Sequence, residues 1–354
     1  MDISKSVAFL MENAGPIIKC RVEKEFLGKD RYSDYRRLIL CHPMVREARS
    51  WQQNDGYLGI AFHGGWLPEN KKIRSSRAAE AALRFLAETG LRPTEPFLDR
   101  ALTALCGENY NRSPSCWDIF SPEEGLYGSE YERDMLLALF DRAEDNTENP
   151  SIALALDRMK YLASAGDISD FSYAAIGRRF FVKGKALPDL YQLRLLSCTR
   201  SWRNAENIET VAAAVRKYIE LSPLPPIYIL HHGQRIAPAA ITCFDFSKNL
   251  ADYSEIDWYQ FLSLMQLFSD LELIEKVDRL NGLFRQLSST VEGNGGILDL
   301  PVCHKAFKVW GAYSGLMLEE TWKGSRRSCD LTYRYLRIAR GRFSFDMVTE
   351  KGSV

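Results

Sequence analysis

The sequence predicts an all-α fold in which helical hairpins close into a single α/α toroid. Three observations predict it. Most of the chain carries apolar residues at spacings of three and four, as helices packed on one side do. These segments come in pairs, separated by short loops rich in Gly, Pro and Asn. The longer loops carry clusters of aromatic residues, which favours a closed ring with its loops at one mouth over an open solenoid.

The helical periodicity predicts about five to six hairpins, with short irregular or β segments in the loops. The segments that can be paired from the sequence are 77–88 with 96–106, 129–143 with 149–166, 187–202 with 204–221, 254–271 with 272–289, and 301–320 with 328–341.

Helix starts and short strands can be placed from local signals. Pro96 suits the first turn of a helix, and Asn149, Asn204 and Ser328 are good N-cap residues. Residues 225–233 predict a short strand. Residues 178–187 predict a small hairpin that turns at Lys183–Gly184.

Composition indicates one globular domain over residues 1–354. The chain is 46% hydrophobic and 26% charged, which is ordinary for a globular protein with a large core. We expect the helices of residues 1–50 to pack on the ring, and residues 342–354 to form a disordered tail.

Charge and cysteine usage limit the environments and partners that we expect. Basic and acidic residues balance at 46 each, so nothing predicts a general affinity for nucleic acid or anionic membrane, although a local patch stays open. The eight cysteines are scattered without a CxxC pair, and the chain contains no secretory leader pattern and no apolar run of membrane-spanning length. We therefore expect a cytoplasmic protein with reduced thiols and no membrane span.

The stretch "ARSWQQNDGYLGIAFHGGWLPENK", residues 48–71, is the strongest candidate for a cavity-lining loop. Asp55 and His63 are the candidate catalytic pair, because a carboxylate beside an imidazole orients it and raises its pKa. Aromatic rings and one further histidine are the candidate substrate contacts: Trp51, Tyr57, Trp66, Trp117 and His304. The alternative is structural, with Asp55 forming the Asn54–Gly56 turn and the rings packed on the core.

Two further sets of acidic residues are candidates. Glu80 lies in a turn rich in Ala and Leu, where a buried carboxylate needs a partner such as Arg77 or Arg84. The second aromatic loop, "CWDIFSPEEGLYG", holds Asp118 and Glu123–Glu124, and paired acids of this kind cleave glycosidic bonds.

Three N-terminal stretches, "KSVAFLMENAGPIIKCRVEKEFLG", "NDGYLGIAFHGGW" and "AAEAALRFLAETGL", resemble a family of bacterial proteins labelled prenyltransferase-like or terpenoid-cyclase-like. The resemblance covers roughly the first 105 residues, and beyond them it extends only to the succession of helix pairs and to "SCDLTYRYLRIA". It implies an α/α toroid.

The catalytic motifs of characterised enzymes with this shape do not accompany the resemblance. The chain has neither the DxDD of triterpene cyclases nor the DDxxD of chain-elongating prenyl synthases. The Asp-x-Cys zinc motif of protein prenyltransferases occurs only in reversed order, for example at Cys243 and Asp245. A zinc site of Cys243, Asp245 and His304 can be drawn, so zinc is the one candidate cofactor.

Three functions stay open at this level. The first is a toroid that binds an apolar or aromatic small molecule in a central cavity, between the loops at 51–66, 117–127 and 299–304, with its reaction unassigned. The second is a carbohydrate-active hydrolase or lyase with acids from 118–124 or Asp55. The third is a non-catalytic helical scaffold for a protein partner.

Overall fold

The computed structural model describes residues 3–62, 78–107, 130–231, 234–236, 244–311 and 313–341. Within these ranges the chain is mostly helical, which confirms the predicted all-α class. No helix in them is long and apolar enough to cross a membrane. The described α-helices are α1 (Ser4–Asn13), α2 (Pro16–Phe26), α3 (Tyr32–Cys41), α4 (Pro43–Ser50), α5 (Ala79–Glu88), α6 (Pro96–Leu105), α7 (Glu130–Ala138), α8 (Pro150–Ser164), α9 (Leu190–Cys198), α10 (Ala205–Leu221), α11 (Glu255–Asp270), α12 (Asp278–Gly293), α13 (Lys305–Lys308) and α14 (Arg326–Arg340).

Local capping signals place most of the helix starts correctly. The side chain of Asn149 accepts hydrogen bonds from the first turn of α8, and that of Asn204 does so for α10. Pro96 begins α6 as predicted. The prediction for Ser328 is wrong, because this residue lies inside α14, where its hydroxyl donates to Asp299 at 2.7 Å.

Five helices, α5, α7, α9, α11 and α14, are enclosed on most of their surface. Every residue of α5 from Ala79 to Leu86 is buried, and so is every residue of α14 from Cys329 to Ala339. A helix with no exposed stripe has neighbours on all sides. In chain order α5 contacts α7, α7 contacts α9, α9 contacts α11, and α11 contacts α14. Arg334 of α14 in turn bonds Glu88 of α5.

The remaining long helices pack on this group from outside. α8 contacts both α9 and α10, and α12 buries a single face formed by Leu280, Leu283, Leu287 and their neighbours. The first helices, α1 and α2, both contact α14.

Four short strands pair in the order β1 (Ser172–Ala175), β2 (Arg178–Phe181), β3 (Ile227–His231) and β4 (Gln234–Ile236). β3 lies within the strand predicted at 225–233. The hairpin predicted at 178–187 is wrong in its turn, which lies at Ile176–Gly177, with both residues at positive φ. Gly184 only closes a turn that follows β2, so a glycine alone did not fix the register.

The helix predicted over 301–320 is also wrong, since only α13 forms there. Gly315 has a φ of +106°, and a Cβ on it would lie 2.5 Å from the Trp310 ring. The backbone N–H of Gly315 instead donates back to Ala306, which folds the segment into a compact loop. The close packing of the Trp310 indole on Gly315 thus accompanies a turn at this position, where the sequence pattern predicted a helix.

Candidate active site

Three buried carboxylates lie at the amino ends of three of the enclosed helices. Glu80 and Glu132 lie in the first turns of α5 and α7, and Asp189 is the N-cap of α9. They are 1%, 4% and 5% exposed. The free N–H groups and the dipole of a helix amino end stabilise negative charge, which makes this a tolerable place to bury acids.

A row of tyrosines connects these acids. The ring centroids of Tyr131 and Tyr191 are 6.3 Å apart, and those of Tyr191 and Tyr313 are 6.1 Å apart, both edge to face. Tyr131 and Tyr191 are buried, whereas Tyr313 is 48% exposed. The row therefore runs from the solvent toward the acids.

The acids and the burial keep these phenols protonated. Burial, followed by the charge of Glu80, raises the pKa of both Tyr191 and Tyr313 above the usual value for tyrosine. Burial and Asp189 do the same to the pKa of Tyr131. Neutral phenols at physiological pH can donate hydrogen bonds to a ligand.

Asp189 is held in place from several sides. Its carboxylate accepts a hydrogen bond from Tyr131 at 3.0 Å and one from the backbone of Gln192 at 2.9 Å, and it lies 3.8 Å from the Arg158 guanidinium. Burial outweighs these interactions and raises its pKa. Asp189 therefore fixes the position of the Tyr131 hydroxyl.

Two arginines bring positive charge to the amino ends of these helices. Arg84 donates to the carbonyl of Gly311, and its guanidinium carbon lies 5.9 Å from the centroid of the Trp310 ring. Arg194 is 9% exposed, and burial together with the charge of Arg84 lowers its pKa to about 10, so it stays cationic near neutral pH. The pKa of Arg194 is raised in turn by the charges of Tyr259, Glu80 and Tyr191, which places Arg194 within the cluster of acids and tyrosines.

The predicted pair of Asp55 and His63 is only partly described. Asp55 is exposed and accepts a hydrogen bond from the Tyr57 backbone at 3.1 Å, as a turn-forming aspartate does. His63 lies outside the described residues, as do Trp66 and Trp117.

The described rings of the aromatic stretch pack on the core. Tyr57 is 1% exposed, and Trp51 is half-buried against the hydrophobic cluster. The stretch nevertheless reaches the candidate site, because the carbonyl of Phe62 accepts from the Glu80 backbone at 3.2 Å. Its last described residue therefore lies against the amino end of α5.

The residues drawn as a zinc site have local structural roles where they are described. The Nδ1 atom of His304 caps α13 by accepting from the Ala306 backbone at 3.2 Å. Asp245 accepts from both the backbone and the hydroxyl of Ser247. Cys243 lies outside the described residues. Within the described part of the chain, no three His, Cys, Asp or Glu side chains are placed to hold a metal.

The sequence pointed to Glu80 but missed Tyr131, Asp189, Tyr191 and Arg194. One local signal was available, since Asp189 and Gln192 form a reciprocal capping box at the start of α9. Another was the polar residues inside the apolar run "LYQLRLLSC", because such residues need partners once they are buried.

No family model, curated protein or solved structure matches the chain. The resemblance to the terpenoid-cyclase-like family consequently stays a prediction.

Proposed function

We propose that α5, α7, α9, α11 and α14 form the inner ring of an α/α toroid. Their contacts in chain order support a ring, and two contacts support its closure. Arg334 of α14 lies 2.7 Å from Glu88 of α5, and Phe85 of α5 stacks edge to face with Trp310, 5.4 Å between centroids. The first turns of α5, α7 and α9 meet at one end, and the last turns of α5, α11 and α14 meet at the other, which supports a common direction for these helices.

The proposed function of this toroid is to bind a carbohydrate at the amino ends of the inner helices and to cleave a glycosidic bond there. The observation that carries it is the convergence of three buried carboxylates with three neutral phenols. A sugar offers many hydroxyls for such groups and flat faces for the rings. An apolar ligand would remove water from these polar groups without offering hydrogen bonds of its own.

The chemistry needs an acid and a base on either side of the scissile bond. Glu80 and Glu132 are the candidate pair. They lie on separate helices, and the charges of both raise the pKa of the Tyr191 hydroxyl. Tyr191 and Tyr313 are the candidate donors to the bound sugar. Asp189 is a positioning residue that acts through Tyr131.

A glycan screen tests this function. Purified protein is incubated with neutral and acidic polysaccharides, and new reducing ends and the ultraviolet absorbance of unsaturated products are measured, which separates hydrolysis from elimination. We expect one class of glycan to be cleaved, and Glu132→Gln to lower the rate about 100-fold or more. Glu12→Gln, at an exposed position on α1, is the control and should act as wild type. A screen in which no glycan is bound or cleaved would overturn the proposal.

A further inference from the structure

The outward face of the small sheet carries a ladder of aromatic rings. Tyr173, Phe180 and Tyr228 lie at matching positions on β1, β2 and β3. Neighbouring ring centroids are 5.9 Å and 6.4 Å apart. The middle ring is buried, whereas Tyr173 is 43% exposed. Two tyrosine rings, two strands and hence about 10 Å apart, border the solvent.

The segments that build the sheet contain no acidic residue. Residues 171–188 and 222–244 hold Arg178, Arg179, Lys183, Lys185 and Arg235, and neither Asp nor Glu. The composition of the whole chain would place about five acids in them. These segments thus carry an excess of positive charge in a chain with no net charge.

A groove on the sheet brings these two features together. Its volume is about 320 Å³, and it is lined by Ala174, Gly177, Arg178, Arg179, Pro225, Pro226 and Tyr228. The Arg178 guanidinium lies 5.5 Å from the centroid of the Tyr228 ring. Arg179 donates to the Ser172 hydroxyl at 2.8 Å. Arg178 is therefore held at the wall of the groove beside Tyr228, whereas the side chain of Arg179, the next residue of the strand, lies on the opposite face with Ser172.

Along the chain, the strands of the sheet come shortly before helices that contribute residues to the candidate active site. β2 is followed within eight residues by Asp189, the N-cap of α9. β3 and β4 lie between α10 and α11, and Tyr259 lies in the second turn of α11. The sheet thus precedes the amino ends of two of the inner helices.

We propose that this sheet is a docking platform for an acidic, uronate-bearing polysaccharide. Sugar faces lie on Tyr173 and Tyr228, and a carboxylate pairs with Arg178. This inference rests on the proposed function and names the substrate class of that site. A glycan is favoured over the other common polyanion, a single-stranded nucleic acid, because the site into which these segments lead is suited to hydroxyl-rich ligands.

Binding to three polymers tests the platform. Polygalacturonate is the acidic glycan, dextran the neutral one, and oligo(dT) the nucleic acid, and each is titrated by calorimetry at two salt concentrations. We expect polygalacturonate to bind tightest, and more weakly at high salt. Equal binding of dextran, or tighter binding of oligo(dT), overturns the inference.

Surface variants separate the platform from the catalytic site. Tyr173→Ala and Arg178→Ala should each weaken polygalacturonate binding about tenfold and leave cleavage of a short oligogalacturonide unchanged. Lys160→Ala, at an exposed position on α8, is the matched control for loss of one cation. Unchanged polymer binding in both sheet variants refutes the platform while cleavage still reports on the proposed function. Loss of cleavage in Glu132→Gln with polymer binding intact supports both.

Discussion

The two ends of the inner helices both bury charge, but in opposite ways. At the carboxyl ends, opposite charges alternate: Arg334 lies 2.7 Å from Glu88, and Arg337 lies 3.4 Å from Asp270. Arg337 also lies 3.5 Å from Glu25 of the neighbouring helix α2, which pairs with Arg21 at 2.5 Å. At the amino ends, acids gather around tyrosines.

The pKa values record the same difference. Burial opposes ionisation of Glu88, yet Arg334, Arg337 and Arg21 together hold its pKa below the usual value. At the other end burial prevails over Arg158 and raises the pKa of Asp189. Asp270 is an exception among the carboxyl ends, because burial raises its pKa as well. The comparison indicates that charge pairing stabilises the ionised acids at one end of these helices, whereas burial destabilises the ionised form of Asp189 at the other.

The largest expected effect comes from the same substitution at the two ends of α5. Glu88→Gln leaves the Arg334 guanidinium, 1% exposed, without its closest charge partner, and should cost about 3–5 kcal/mol in the free energy of unfolding. Glu80→Gln, on the same helix, should cost about 1 kcal/mol or less. Both acids and arginines lie near Glu80, so the attraction and the repulsion that its charge experiences partly cancel. Urea unfolding followed by circular dichroism measures both. Equal losses would show that the two ends do not differ.

Gly315→Ala should be the next largest change. An added Cβ meets the Trp310 ring at 2.5 Å and the backbone has a φ of +106°, so we expect a cost of about 2–3 kcal/mol and a lower rate of cleavage. Gly324→Ala is the control, because its φ is +58° with no atom within 4 Å, and it should cost about 1 kcal/mol. Thermal unfolding and the near-ultraviolet spectrum of the tryptophans report both variants. Equal costs would mean that the indole contact does not hold this loop.

The acid limb of the stability profile gives a third test. The pKa values of Glu25 and Glu88 are lower in the folded than in the unfolded chain. Their contribution is complete above the unfolded value of 4.5 and is lost as the pH falls below it. Unfolding measured from pH 6 to 3 should show a decline of up to about 1.4 kcal/mol per pH unit for each such group, and Glu88→Gln should flatten it.

Asp189 should give the opposite slope. Its folded pKa is raised, so the folded state holds the proton more tightly, and stability is lost as the pH rises from the unfolded value of 3.8 toward the folded one. Asp189→Asn should remove this slope from the same pH series. A variant that instead flattened the acid limb would place Asp189 with the ion-paired group.

The smallest effect is expected at Asp55. Asp55→Ala removes one hydrogen bond of an exposed turn and should cost about 1 kcal/mol or less, with cleavage unchanged. Tyr191→Phe should cost similarly little in stability but lower cleavage. A large loss of cleavage in Asp55→Ala would move the active site toward the aromatic stretch.

Much of the fold could be predicted because it depends on local patterns. α8 and α10 follow from apolar spacing and from the caps predicted at Asn149 and Asn204. The helix expected over 301–320 fails because its fate depends on how Trp310 packs. The closure of the helical hairpins into a toroid stays a prediction.

The candidate site was harder to predict because it is assembled across the sequence. Glu80 could be singled out, since its polar side chain interrupts an apolar turn. Tyr131 and Asp189 are 58 residues apart, and nothing local indicates that one bonds the other. The aromatic stretch was chosen for its composition, but its described rings serve packing.

Three hydrogen bonds connect the beginning of the described chain, at α1 and α2, to residues near its end. Ser6 bonds Gly296, Gly15 bonds Glu319, and Arg21 bonds Tyr333, across 290, 304 and 312 residues. A ribosome adds about 5–20 residues per second, so α1 and α2 wait roughly 15–60 s for their partners. During that time the surfaces of α1 and α2 that pack on α14 lack their native partner. We therefore expect that weakening these contacts increases the dependence on chaperones during synthesis more than it lowers the stability of the folded protein.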